Sequence, residues 1–324
     1  MNKTPDISVA MMTYFHEKYV AQAIESVLNQ KTRYTFELVI SDDCSTDGTR
    51  EIIERYQKQH PDIIRVNLNN NNIGISANHY NTRSLCKGRY IADIAGDDYW
   101  IDDNKLQKQI DFLEEHVEYI GTTTLFEVRV DGSTNRIELL PEKKYRGKAV
   151  SLDMYLHGVP LSTHGLVVRN QYLTDAGRNR YLLIPQASKY IDDSTECLLM
   201  LQDGPVFVMP FTSTVYRTHK EKLGRTNYNS VNTLFSHSQK MINLYNYIDS
   251  HINERIDLFN LYSFCVSRTL VYSITKGDFA HFSELYKTIP VEYRRRHLFI
   301  RSMPKIITFL WKSGKRRLKR KFQK

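Results

Sequence analysis

The sequence predicts an α/β fold, a sheet covered by helices on both faces, followed by a helical C-terminal region. Three features predict it. Short apolar runs recur through the N-terminal third, apolar residues at helical spacing separate them, and loops dense in turn formers follow the runs. Residues 7–12 form the first run, and Tyr19, Val20, Ala23, Ile24, Val27 and Leu28 follow at helical spacing. A second strand, 36–40, ends in Ser41-Asp42-Asp43-Cys44-Ser45-Thr46-Asp47-Gly48, a run of turn formers. Ile52, Ile53 and Tyr56 mark one face of the next helix. Residues 63–68 then form a strand, 76–86 a helix and 90–94 a fourth strand. Alternation of this length implies a parallel sheet.

Leu106, Ile110, Phe112 and Leu113 mark a further helix, and residues 119–130 run toward the hairpin signal Asp131-Gly132. Residues 206–218 are strand-like, with Pro210 calling for an edge or a bend. From about Asn227 the pattern is helical and rich in tyrosine. The boundary falls near His219, giving domains 1–220 and 221–324.

Composition narrows the class. A chain of 324 residues with 41% hydrophobic and 25% charged content is globular, not disordered or fibrous. The net charge of +9 suggests nucleic acid until it is located. Residues 294–324 hold 13 Lys or Arg and no acid, leaving 32 basic against 36 acidic residues elsewhere. The body is mildly acidic, so nucleic acid is not an expected partner. Cys44, Cys86, Cys197 and Cys265 have neither zinc spacing nor a disulfide rhythm, and no apolar stretch has the length of a leader or a membrane span. A cytoplasmic protein is expected.

The absences are as informative as the motifs. A dinucleotide site needs glycines directly after the first strand, and here Thr13-Tyr14-Phe15-His16-Glu17-Lys18 stands instead. A phosphate-binding Gly-Lys-Ser/Thr loop and a Gly-x-Ser-x-Gly elbow are also missing. The strands end in carboxylates instead: Asp42 and Asp43 after the second, Asp97 and Asp98 after the fourth by way of Gly96. Ligands of open α/β sheets bind beyond the carboxyl ends of the strands, so both pairs converge on one crevice. One carboxylate can grip a ribose or a base and another a divalent cation carrying diphosphate. Either pair alone is equally compatible with solvated turn residues.

The motifs, taken in order, resemble those of family 2 glycosyltransferases of the GT-A fold, a Rossmann-like mixed sheet with helices on both faces. The resemblance runs from Ile7 to His219. Ile7-Ser8-Val9-Ala10-Met11-Met12-Thr13-Tyr14 is similar to the family's first strand and nucleotide-contacting turn, with Met12 where proline is usual. Ala23-Ile24-Glu25-Ser26-Val27-Leu28-Asn29-Gln30 resembles its first helix. Asp42-Asp43-Cys44-Ser45-Thr46-Asp47-Gly48-Thr49 resembles the loop whose second acid, here Asp43, recognises the base. Asn72-Ile73-Gly74 and Lys87-Gly88-Arg89-Tyr90-Ile91-Ala92 match the approach to the metal motif. Gly96-Asp97-Asp98-Tyr99-Trp100, with Lys105-Leu106-Gln107-Lys108-Gln109 after it, matches the motif itself. Ala95 departs from the family, where a further Asp is common.

The resemblance implies an inverting transferase acting on a nucleotide diphosphate sugar, UDP by family habit. Met12, Thr13, Tyr14, Asp43, Asp97 and Arg217 would contact the donor, Asp98 the Mn²⁺ or Mg²⁺, and His219 would complete the metal shell. Asp193, opening a helix over 193–201, would be the general base, supported by its spacing to Val215-Tyr216-Arg217 and His219. Asp192 is its rival, and a helix-capping role for Asp193 and a surface role for His219 stay open. Phe299, Met303, Ile306, Ile307, Leu310 and Leu318 interleave with lysines and arginines, a composition suited to an anionic membrane surface. A free basic tail, or a helix docked on the body, fits the same residues. The acceptor expected is a glycan or lipid-linked hydroxyl in surface polysaccharide or oligosaccharide synthesis, with the enzyme peripheral to the cytoplasmic face of the membrane. A nucleotidyltransferase, or a non-catalytic module on the same scaffold, is the competing reading.

Overall fold

The computed structural model describes residues 4–130, 136–140, 143–190, 193–218, 231–252, 256–296, 298–299 and 301–302. Asp192, His219, the Asp131-Gly132 turn and the basic segment from Met303 onward lie outside the described residues. The chain divides into two compact units, Met1–Tyr155 with Val159–Lys220, and Leu156–Gly158 with Glu221–Lys324.

The first unit opens with β1 (Ile7–Thr13), α1 (Val20–Leu28), β2 (Phe36–Asp42), α2 (Thr49–Gln59), β3 (Ile64–Leu68), α3 (Ile75–Ser84) and β4 (Tyr90–Ala95). These strands form a parallel block in the order β3-β2-β1-β4. Stepping outward from β1 to β3 and returning to β4 places α1 and α2 on one face and α3 on the other, because parallel crossovers are right-handed. Period-two alternation does the rest. Ile7, Val9 and Met11 of β1 pack with Val20, Ala23, Ile24 and Val27 of α1 in the main core, which also takes Leu38, Ile40, Ile53 and Ile64. Ser8, on the opposite face of β1, donates to Glu37 Oε1 at 2.6 Å and accepts from the Gly88 N–H at 2.8 Å.

Beyond β4 the sheet becomes mixed, and among the described residues it has ten strands. β5 (Tyr99–Trp100), α4 (Lys105–Glu115), β6 (Gly121–Val130), β7 (Arg136–Leu140) and β8 (Lys148–Val150) follow, then α5 (Leu152–Leu156) and β9 (Val167–Arg169). After them come α6 (Asp175–Tyr181), α7 (Leu183–Ala187), α8 (Asp193–Asp203) and β10 (Val206–Thr218). β9 runs antiparallel between β4 and β6, whereas β10 is parallel to β6 and antiparallel to β5 and β8. β6 and β7 pair antiparallel. Pro210 falls between Val208 and Thr212, where the β10–β6 register shifts, which is the bend expected of it.

The second unit contains α9 (Val231–His251), α10 (Phe259–Lys276), α11 (Phe279–Thr288) and α12 (Val291–Arg295). Its tyrosines form a packed seam: Tyr262 lies 5.8 Å from Tyr245 and 4.8 Å from Tyr293, ring centre to ring centre. Their hydroxyls are satisfied, Tyr262 Oη by Asn246 and Tyr293 Oη by Asp249. All four cysteines are free thiols. Among the described residues no helix is long and apolar enough to cross a membrane.

One buried charge is unusual. Lys105, at the start of α4, is fully buried with its ammonium 4.4 Å from the centre of the Trp100 ring. Burial pushes its pKa down to about 7, against the opposing pull of Asp93 and Asp102. The unfolded chain titrates this lysine near about 10.4. The folded state therefore resists protonation, the penalty is complete below pH 7, and it is lifted as pH rises toward the unfolded value. Stability of the unaltered chain should rise between pH 7 and 9.5 relative to Lys105→Met, measured as urea midpoints. Parallel pH profiles for the two proteins would remove Lys105 as the cause.

Candidate active site

The crevice is built where β1, β2, β4 and β10 end. Asp42, the last residue of β2, is fully buried and serves the turn: it accepts from Thr13 Oγ1 at 2.9 Å, Ser45 Oγ at 2.5 Å and Arg50 Nε at 2.8 Å. Asp43 follows, its own N–H donating to the Thr13 carbonyl at 3.0 Å. Its carboxylate receives the backbone N–H groups of Ile73 at 2.8 Å and Gly74 at 2.9 Å, and Asn69 Nδ2 at 3.3 Å. Phe15 and Cys44 both adopt positive φ, 57° and 66°, so the turns after β1 and β2 hold side chains in a region that disfavours them. Tyr14 and Phe15 stand half exposed beside each other, 4.5 Å apart edge to face.

The second acidic pair is placed by a close approach. Gly96 donates its N–H to the Met12 carbonyl at 2.8 Å. A Cβ there would fall 2.5 Å from Thr13 Cγ2 and 2.9 Å from His16 Nδ1, so only glycine lets the turn lie against β1. Asp97 and Asp98 follow, 7% and 2% exposed. β5 then pairs with β10, setting Tyr99 opposite Val215 and carrying Arg217 onto the acidic turn. The Arg217 N–H donates to Asp98 Oδ1 at 2.8 Å and its Nη1 to the Asp97 carbonyl at 2.6 Å. The guanidinium lies between Tyr99 and Tyr19, 4.4 and 5.1 Å from their ring centres, and also bonds Gln22.

Burial pushes the Asp98 carboxyl up, and the neighbouring Asp97 adds to the shift; the His164 imidazole and the Arg217 N–H oppose it. His164 Nδ1 is 3.5 Å from Asp98 Oδ2, and His16 Nε2 is 3.6 Å from Asp97 Oδ2. Two adjacent carboxylates in so dry a turn favour a cation, and carboxylate oxygens suit Mg²⁺ or Mn²⁺. The donor set therefore fits a divalent ion. A second cluster, His79, Asp93 and Glu196, is also gathered within ligand range. There, however, Arg83 pairs with both acids, its Nη1 2.5 Å from Glu196 Oε1, and supplies the positive charge itself.

That buried network has a different use. It ties α8 to α3 one turn after Asp193, and the segment before α8 is held as well. The Lys189 side chain packs so closely on Gly74 that a Cβ there would lie 2.5 Å from its Cγ, and the Lys189 carbonyl accepts from the Ser76 N–H at 3.3 Å. Asp193 is thus an exposed carboxylate on a fixed helix end. Its Oδ1 accepts from the Ser194 N–H at 2.7 Å, a bond within the first turn. Asp43 bonds Thr13, Arg217 bonds Asp97 and Asp98, and the two groups meet where the Gly96 N–H donates to the carbonyl of Met12. Four residues before Asp193 in sequence, Lys189 packs on Gly74 of the loop that holds the Asp43 carboxylate. His16 and His164 were not expected from the sequence, since each is a single loop residue with no spacing to mark it; Tyr19 and Tyr99 were read as a helix-face and a motif residue, without a role toward Arg217.

Residues 8–165 match the family described as Glycosyl transferase family 2. This part of the chain is a family 2 glycosyltransferase domain. An uncharacterized protein of Mycobacterium tuberculosis (strain H37Rv) is 32% identical over 226 residues, covering 68% of this chain and 61% of that protein. The chain thus spans about 61% of the length of these first relatives. EpsE of Bacillus subtilis, named as a candidate glycosyltransferase, is 39% identical over 127 residues, 39% of this chain and 45% of its own. Among solved structures, residues 1–349 of TarS from S. aureus, in complex with UDP-GlcNAc, align with a TM-score of 0.58 at 16% identity, covering 89% of this chain and 82% of that one. The mannosyltransferase PcManGT from Pyrobaculum calidifontis, in complex with GDP-Man and Mn²⁺, aligns at 0.51 with 13% identity, covering 94% and 88%. At such identities these neighbours establish the fold, which is GT-A-like.

In this glycosyltransferase domain Asp43 has a structural duty that its motif does not announce. Asp43→Asn turns an amide N–H₂ toward one of the backbone donors of Ile73 or Gly74. It should cost about 2 kcal/mol of stability, as loss of a charge-assisted bond to a buried group does. Urea denaturation reads this apart from any loss of nucleotide affinity. An unchanged midpoint would show that the 69–74 loop holds its shape without the carboxylate.

Proposed function

We propose that the chain transfers a sugar, with inversion, from a nucleoside diphosphate to a hydroxyl acceptor. The observation that carries this is the buried Asp97-Asp98 turn at the carboxyl end of the parallel block, closed by Arg217. Support comes also from the fold neighbours, described in complex with UDP, UDP-GlcNAc, or GDP-Man and Mn²⁺.

Thr13, Tyr14 and Met12 line the turn against which the nucleoside lies, with Asp43 reading the base and Asp97 the ribose. Asp98, together with His219, would hold Mn²⁺ or Mg²⁺, and the ion would supply positive charge for the diphosphate. Arg217 donates to phosphate oxygens from a guanidinium already oriented by Tyr19, Tyr99 and the Asp97 carbonyl. Asp193 accepts the proton of the acceptor hydroxyl while its oxygen attacks the anomeric carbon; the bond from that carbon to the diphosphate oxygen breaks. One displacement inverts the centre, and no protein nucleophile is needed. The donor is proposed to be a UDP-sugar and the acceptor a glycan or lipid-linked hydroxyl of a surface polysaccharide, reached at an anionic cytoplasmic membrane face through residues 304–324.

A panel of nucleotide sugars, assayed for binding and transfer with Mg²⁺ or Mn²⁺, tests the activity directly. Excess chelator should abolish transfer; full activity in its presence defeats the metal-dependent reading. Asp193→Asn keeps an oxygen for the Ser194 N–H but cannot take a proton at neutral pH. Transfer should fall at least about a hundredfold with donor binding intact. A near-normal rate would exclude Asp193 as base. Removal of residues 304–324 should release the protein from anionic liposomes while transfer to a soluble acceptor persists. Retained sedimentation rules that segment out as the anchor.

A further inference from the structure

His164 stands on a loop that every other role leaves unexplained. We propose that its Nδ1 is a ligand of the divalent cation held by Asp98, an inference that rests on the metal-dependent reading above. Asp98 Oδ1 is engaged by the Arg217 N–H, which leaves Oδ2 facing the imidazole at 3.5 Å. That separation is long for a hydrogen bond between nitrogen and oxygen. Two donors sharing one cation at about 2.1 Å each stand about 3.0 Å apart at a right angle and about 3.4 Å at a tetrahedral one. The gap between Nδ1 and Oδ2 is therefore of the size a bridging ion spans after a shift of a few tenths of an ångström.

The imidazole is also held as a ligand must be. Its ring lies against Tyr216 at 4.5 Å and Phe126 at 4.8 Å, which fixes its plane. The His164 carbonyl accepts from Thr123 Oγ1 at 3.1 Å, and the next carbonyl, that of Gly165, accepts from Gln109 Nε2 at 2.9 Å. Gly165 has φ +78°, and a Cβ on it would fall 2.2 Å from Thr124 Oγ1. The loop can press against β6 in this way only with glycine there, and the press delivers the histidine beside Asp98. A nitrogen ligand also has a chemical signature: imidazole favours Mn²⁺ and Co²⁺ over Mg²⁺, which prefers oxygen.

Mn²⁺ titration of the full chain by electron paramagnetic resonance, with and without UDP, reads the site without any transfer assay. His164→Ala should weaken Mn²⁺ binding at least about tenfold. His164→Asn, which returns an oxygen near the Nδ1 position, should recover part of the affinity and move the preference toward Mg²⁺. Pulsed measurements in a His219→Asn background, which removes the other histidine proposed for the site, should show a nitrogen coupling to Mn²⁺ that is lost when His164→Asn is added. Mn²⁺ binding lost in Asp98→Asn but untouched by the His164 variants overturns this inference alone. Equal weakening of all cations with the nitrogen coupling retained also overturns it, since the imidazole then only braces Asp98. An unaltered chain that binds no Mn²⁺ overturns the metal-dependent reading together with it.

Discussion

Everything at the crevice hangs on the hydrogen bond from the Arg217 N–H to Asp98. Asp98 belongs to the turn after β4, and Arg217 to a strand that enters the sheet from its far side, 119 residues later. The pairing of β5 with β10 brings them together, and the bond then fixes the orientation of the carboxylate that faces His164. Because it uses a backbone donor, it constrains the path of β10 and leaves the arginine side chain available. The guanidinium is separately oriented by Tyr19, Tyr99 and the Asp97 carbonyl. One residue thus closes the sheet with its main chain and presents a cation with its side chain.

Two buried acidic clusters show how differently the same residue types are treated. Asp93 and Glu196 are neutralised by Arg83, inserted from α3, and the result is a cross-brace between helices. Asp97 meets the His16 imidazole at 3.6 Å, and Asp98 meets the His164 imidazole at 3.5 Å and the Arg217 backbone N–H at 2.8 Å. An ion pair closed on itself suits a structural role, whereas carboxylates flanked by imidazoles suit a bound cation.

The α/β alternation from β1 to α4 was legible because each element buries a face and so imposes its period on the sequence. Residues 7–12, 36–40, 63–68 and 90–94 reappear as strands with ends moved by one or two positions. β5 and β9, of two and three residues, are too short to show a period, yet they join the parallel block to β6 and β10. The antiparallel insertion was legible only through the family resemblance. At the site, the positions of Asp43, Asp97, Asp98 and Arg217 could be read from motifs, but their partners could not. That Asp43 already serves two backbone donors depends on a loop thirty residues away, and the approach of His164 to Asp98 depends on the conformation of Gly165. Distances of this kind have no local spelling.

The register shift at Pro210 bears on how this protein can vary. Strand β10 has β8 as its neighbour before the shift and β5 after it, so the irregularity acts as a gauge block between two otherwise regular stretches. Substitutions along the exposed positions of β10 leave the gauge unchanged. A single-residue deletion or insertion between Val208 and Thr214 does not, because it turns every side chain downstream to the opposite face and moves the N–H of Arg217 away from Asp98. Within this strand, length is under far tighter constraint than composition.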